Sequence, residues 1–131
     1  MLHHLSKLLI CTSLLLSSFT FAATITDPAK TLSVGQEESL FTITLASNPS
    51  TGFVWLLESY DSTLLKLVKH DYVAPDNKKN RVGTTGVENW TFTEKSKIPG
   101  PQVTKITLIN ARPWDINNTT HEKTAFTVVL Y

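Results

Sequence analysis

The chain has 131 residues, 41% of them hydrophobic, with twelve Lys and Arg against eleven Asp and Glu and a formal net charge of +1 at pH 7. So even a balance excludes the strongly basic surface that nucleic acid or an anionic membrane calls for. A single cysteine, Cys11, rules out an internal disulfide and a cysteine-ligated metal site.

Taken in chain order, residues 1–23 read as a cleaved secretory leader. His3, His4 and Lys7 precede an apolar run from Leu8 to Phe21 that is short for a membrane span, and Thr20, Ala22 and Ala23 are small enough for cleavage. Ile10, ahead of Cys11, is too bulky for lipoprotein processing. The expectation is export, to a periplasm or to the external medium, of one domain spanning residues 24–131, with no membrane association after cleavage and no second copy required. Losing Lys7 leaves eleven basic and eleven acidic residues.

Beyond Asp27-Pro28 the apolar residues recur with period two in short bursts, and no helical period is sustained. A strand is predicted at Thr31 to Val34, followed by one with Phe41, Ile43 and Leu45 on a common face. SNPSTGFVW, residues 47–55, then interrupts the pattern: Pro49 locks its own φ and pushes Asn48 toward extended geometry, while Gly52 has backbone angles closed to its neighbours. Such a loop is rigid and shaped. Phe53, Trp55 and Leu57 share the next strand face, and Phe53 and Trp55 tie the loop's exit to the core. From Asp61 the sequence DSTLLKLV fits either a short helix or one helical turn before a strand from Leu65 to Val73.

A long polar loop follows, basic at Lys78, Lys79 and Arg81 and ending in Gly83-Thr84-Thr85-Gly86, before a strand from Val87 to Thr93 with Glu88, Trp90 and Phe92 on one face. Pro99-Gly100-Pro101 is a turn. Ile106 and Leu108 mark another strand, which ends at NARPWDINN, residues 110–118, and Phe126, Val128 and Leu130 mark the last. About seven short strands, without helices to cover a parallel sheet, predict an all-β fold: an immunoglobulin-like antiparallel β-sandwich, with a small barrel as the alternative.

Catalytic chemistry finds little support. His70 and His121 are far apart in sequence, and Asp71 points to the face of its strand opposite His70, so no metal-ligand spacing arises. Ser50 and Thr51 lack a G-x-S-x-G elbow, and hydrogen bonding within the turn accounts for their hydroxyls. No glycine-rich loop opens a helix to hold a phosphate. The inventory favours a binding protein without cofactor over an enzyme.

Three loops remain as candidates for contact: the Pro49-Gly52 loop, the Gly83–Gly86 loop and the one with Arg112 and Trp114 on either side of Pro113. Taken singly, the glycine pair fits plain turn chemistry and the tryptophan a core plug as well as contact, although Trp and Arg are the side chains most enriched in interface hot spots. Together, NPSTGFVW, VGTTGVENW and RPW, in this order and with a terminal TAFTVVLY, give the chain a pattern that resembles the chagasin family of cysteine peptidase inhibitors, from about Val34 to the C-terminus. The family pattern is NPTTG and an aromatic, then GxGG, then RPW.

The resemblance implies an immunoglobulin-like sandwich whose three loops enter the active-site cleft of papain-family cysteine peptidases as a wedge, binding reversibly and tightly. Asn48, Pro49, Ser50, Thr51, Gly52 and Phe53 would form the central loop, with Thr51 near the catalytic cysteine and histidine. Gly83, Thr84, Thr85 and Gly86 would lie along one side of the cleft, and Arg112, Pro113 and Trp114 would cover the other. Ser50 stands for the first threonine of NPTTG and keeps its hydroxyl. Thr85 stands for a glycine, and a β-branched residue resists positive φ. A secreted immunoglobulin-like adhesion or glycan-binding module is the alternative function, since polar loops and Trp114 would serve it too.

Overall fold

A computed structural model describes residues 22–38, 40–76, 84–97, 99–117 and 121–131. Residues 1–21 of the leader read in residues 1–23, Gly83 and the basic run of Lys78, Lys79 and Arg81 lie outside the described residues. Among the described residues there are eight strands: β1 (Ala23–Ile25), β2 (Thr31–Val34), β3 (Phe41–Ser47), β4 (Val54–Ser59), β5 (Leu65–Val73), β6 (Gly86–Glu94), β7 (Gln102–Ala111) and β8 (Glu122–Leu130). They form two four-stranded sheets, ordered β1-β3-β6-β5 and β2-β8-β7-β4, whose inner faces share one core.

Period-two alternation produces this arrangement. Phe41, Ile43 and Leu45 of β3, Trp90 and Phe92 of β6, Ile106 and Leu108 of β7, and Phe126, Val128 and Leu130 of β8 are all buried in the layer between the sheets. Phe41 and Phe92 stack with ring centroids 5.7 Å apart, and Tyr60 meets Phe92 edge-on at 5.5 Å. On the outer face the alternate residues pair as polar ladders: Thr42 and Thr91 hydroxyls lie 3.0 Å apart, and Thr44 donates to Asn89 Oδ1 at 2.8 Å.

The predicted all-β sandwich is therefore found, with a refinement of strand direction. The β3–β6, β5–β6, β4–β7 and β7–β8 pairs are antiparallel, whereas β1 pairs parallel with β3 and β2 parallel with β8. Neither parallel pair is joined by a hairpin, so nothing imposes the antiparallel direction on it. Of the two readings open at Asp61, one helical turn is correct. The Leu64 and Leu65 amides donate to the Asp61 carbonyl at 3.3 and 3.0 Å, Asp61 Oδ1 accepts the Thr63 amide at 2.8 Å, and β5 starts at once.

Topology gathers three connections at one end. The β3–β4 connection crosses from one sheet to the other, while the β5–β6 and β7–β8 connections are hairpins within a sheet. Ser47 pairs with Gly86 and Val54 with Ala111, so the crossing loop lies between the two hairpin loops.

Candidate functional site

The central loop is a 3₁₀ turn, Pro49–Thr51, entered from Asn48 at φ −129° and ψ 81°. Pro49 keeps the residue before it out of the helical region and supplies a first helical position that needs no amide donor. The Thr51 amide donates to the Asn48 carbonyl at 3.1 Å and the Gly52 amide to the Pro49 carbonyl at 2.9 Å. Both hydroxyls work inside the loop: Ser50 Oγ donates to Asn48 Oδ1 at 2.6 Å, and Thr51 Oγ1 to the Asn48 carbonyl at 2.7 Å. Gly52 closes the turn at φ 84°, the left-handed angle that favours glycine.

The third loop repeats the device. Arg112 is extended before Pro113, which opens the 3₁₀ turn Pro113–Asp115, closed by the Asp115 amide on the Arg112 carbonyl at 2.9 Å. Because Val54 pairs with Ala111, the residues just beyond them, Phe53 and Arg112, face each other. The Arg112 guanidinium lies over the Phe53 ring, 4.6 Å from its centroid, in cation–π geometry. A Cβ on Gly52 would stand 2.8 Å from Trp114 Cη2 and 3.6 Å from Arg112 Nε, so the Trp114 ring rests on bare backbone. Trp114 is nevertheless 75% exposed. The two proline-led loops are thus locked together while the indole projects outward.

Phe53 departs from expectation. It is 38% exposed and precedes β4, so it does not join Trp55 and Leu57 on the core face; Arg112 draws its ring to the surface. Trp55 alone anchors the exit, buried, with its indole Nε1 donating to the Ala46 carbonyl of β3 at 2.9 Å.

Of the second loop, Thr84 and Thr85 are exposed at the same end, and Gly86 is buried as the first residue of β6. A Cβ there would fall 2.5 Å from both the Tyr72 hydroxyl and the Val73 carbonyl oxygen, so Gly86 is a glycine because β5 passes too close for any side chain.

A buried polar cluster beneath the loops escaped the sequence reading. Glu88, 3% exposed, accepts Ser47 Oγ at 2.6 Å and the Trp55 amide at 3.2 Å on Oε1, and its Oε2 lies 2.9 Å from His70 Nε2. The His70 ring stacks on Trp90 with centroids 3.6 Å apart. The signal was present, since Glu88 shares a face with Trp90 and Phe92, and a carboxyl on an apolar face needs partners. Its partners come from strands distant in sequence. His121 plays no part in the cluster and donates from Nε2 to the Ile116 carbonyl at 3.1 Å.

The β-sandwich presents three loops at one end, two of them locked, and comparison with known proteins gives its class. The model of the chagasin family peptidase inhibitor I42 matches residues 32–129. Chagasin of Trypanosoma cruzi is 33% identical over 104 residues, 76% of this chain and 84% of that protein. Among solved structures, the cysteine protease inhibitor EhICP2 from Entamoeba histolytica superposes with a TM-score of 0.66 at 23% identity, over 84% of this chain and 96% of that one. Amebosin superposes at 0.61 with 22% identity, over 84% and 98%. The chain belongs to the chagasin family of peptidase inhibitors and is not an enzyme.

Proposed function

We propose that the domain is a reversible, tight-binding inhibitor of papain-like cysteine peptidases, exported as a monomer to the periplasm or the external medium, and that its three loops occlude the active-site cleft as a wedge. The observation that carries this reading is the locked pair of proline-led turns, with Gly52 under Trp114 and Phe53 under Arg112. Loops held in this way lose little entropy on docking, so an interface of roughly 1,600 Å² with one or two good anchors suffices for tight binding.

In this reading Asn48 to Phe53 enter the cleft centrally, with Thr51 nearest the catalytic pair. Thr84 and Thr85 run along one wall, and Trp114 packs on aromatic surface at the other. The loop resists cleavage because its backbone is a 3₁₀ turn closed by its own hydrogen bonds, whereas a peptidase cleft takes substrate as an extended strand. The inclusion of EhICP2, a cysteine protease inhibitor, among the fold relatives supports the choice of target class.

Steady-state inhibition of papain and a cathepsin L-like enzyme, with a serine peptidase as control, tests the proposal. Reversible nanomolar inhibition confined to the cysteine peptidases is expected. No inhibition of either cysteine peptidase at micromolar protein overturns it.

A further inference from the structure

We infer that Glu88 is a positioning residue for the wedge: its carboxyl fastens both roots of the Asn48–Phe53 loop to the strand that leads out of the second loop. The inference rests on the inhibitor reading and deepens it. Ser47, which donates to Oε1, immediately precedes the central loop, and Trp55, whose amide donates to the same oxygen, lies just after it. Glu88 itself is two residues beyond Gly86, and His70, on Oε2, belongs to β5, the strand that leads into the second loop. One side chain therefore joins β3, β4, β5 and β6, strands of both sheets, directly below the two loops.

The carboxyl is set in place by the donors around it. Burying it beside Trp90 carries a desolvation cost that its three bonds offset, and removing it alone leaves the Ser47 hydroxyl and the Trp55 amide as buried donors without an acceptor. An apolar residue cannot hold the Ser47 hydroxyl or the Trp55 amide on the edge strand β4, where an amide facing away from the sheet needs an outside partner. Without that hold the roots of the central loop loosen, so that its turn opens more often and it no longer keeps one stance relative to its neighbours. Affinity then falls by the fraction of molecules that are correctly disposed.

Glu88→Gln, Glu88→Met and Ser47→Ala separate the possibilities, read by papain inhibition, thermal unfolding and amide hydrogen exchange at Thr51 and Gly52. Glutamine keeps an acceptor for Ser47 and Trp55 and can donate to His70, so it should inhibit within about threefold of the parent. Methionine leaves the Ser47 hydroxyl and the Trp55 amide without an acceptor, so its midpoint should fall; its folded fraction should still inhibit at least about tenfold more weakly than the parent, with faster exchange at both turn amides. Inhibition and exchange unchanged in the methionine variant overturn the inference. Should that variant fail to fold, Ser47→Ala decides by the same two readouts, unchanged values again counting against Glu88. Should the parent itself not inhibit, the peptidase reading fails separately, and exchange at the turn amides in the methionine variant against the glutamine variant still decides the role of Glu88.

Discussion

Gly52 meets two demands at once, a φ of 84° and room for the edge of the Trp114 ring. Gly52→Ala should therefore cost about 1–2 kcal/mol of stability from the left-handed backbone and weaken inhibition further by displacing Trp114, seen as a shift in the inhibition constant larger than the shift in denaturation predicts. Trp114→Ala separates the two effects. The ring is largely exposed, so the unfolding midpoint should hold while inhibition weakens by about 1–3 kcal/mol. An unchanged inhibition constant would remove Trp114 from the contact surface. Two acids away from the loops respond to pH with opposite signs. Burial raises the Glu94 pKa, and its Oε1 is buried without a partner, so the folded state holds that proton more firmly than the unfolded chain and stability declines as pH rises through the range. The Asp61 pKa is lowered by the Thr63 hydroxyl and amide; its contribution is present above the unfolded value and is lost as pH falls through the folded one. Glu94→Gln should stabilise the domain at neutral pH and remove the first slope, as measured by urea denaturation across a pH series.

At the scale of elements, the strands with strict alternation were legible. β2 and β5 have the predicted bounds, and the apolar faces of β3, β6, β7 and β8 are the core. β1 was not, because three residues are too few to reveal a period. The proline-led loops were readable as rigid, since Pro49 and Pro113 constrain both themselves and the preceding residue, but their 3₁₀ closure depends on hydrogen bonds that no spacing announces. Phe53 continues the apolar alternation, which by itself predicts a core position. What overrode the pattern was Arg112, brought opposite by β4–β7 register. Glu88 stayed hidden for a similar cause: Ser47, Trp55 and His70 meet it only after three strand registers are known. The second loop invites a paired test. Gly86→Ala should lose about 1–3 kcal/mol of stability by forcing β5 aside, while Thr85→Gly, at an exposed position, should leave folding nearly unchanged and tighten inhibition by easing close approach. Weaker inhibition by Thr85→Gly would show that the threonine makes a contact of its own.

For the whole molecule, class and layer architecture followed from composition and period, and the placement of the loops at one end followed from sandwich topology. The exposed edges of the sheets were not readable and are managed in two ways. β1 and β2 are short, three and four residues, and the longer edge strands β4 and β5 each carry a register shift, between Leu57 and Ser59 and between Leu67 and Lys69. Bulged or short edges make poor templates for a second chain to add a strand. The fold is also held without any covalent cross-link, since residues 22–131 contain no cysteine. A thiol peptidase works only while its nucleophile is reduced, and the reductant that keeps it so attacks accessible disulfides in any protein nearby. A domain fastened by packing and by the Glu88 carboxyl is blind to redox potential, so the medium that switches the proposed target on leaves its inhibitor intact.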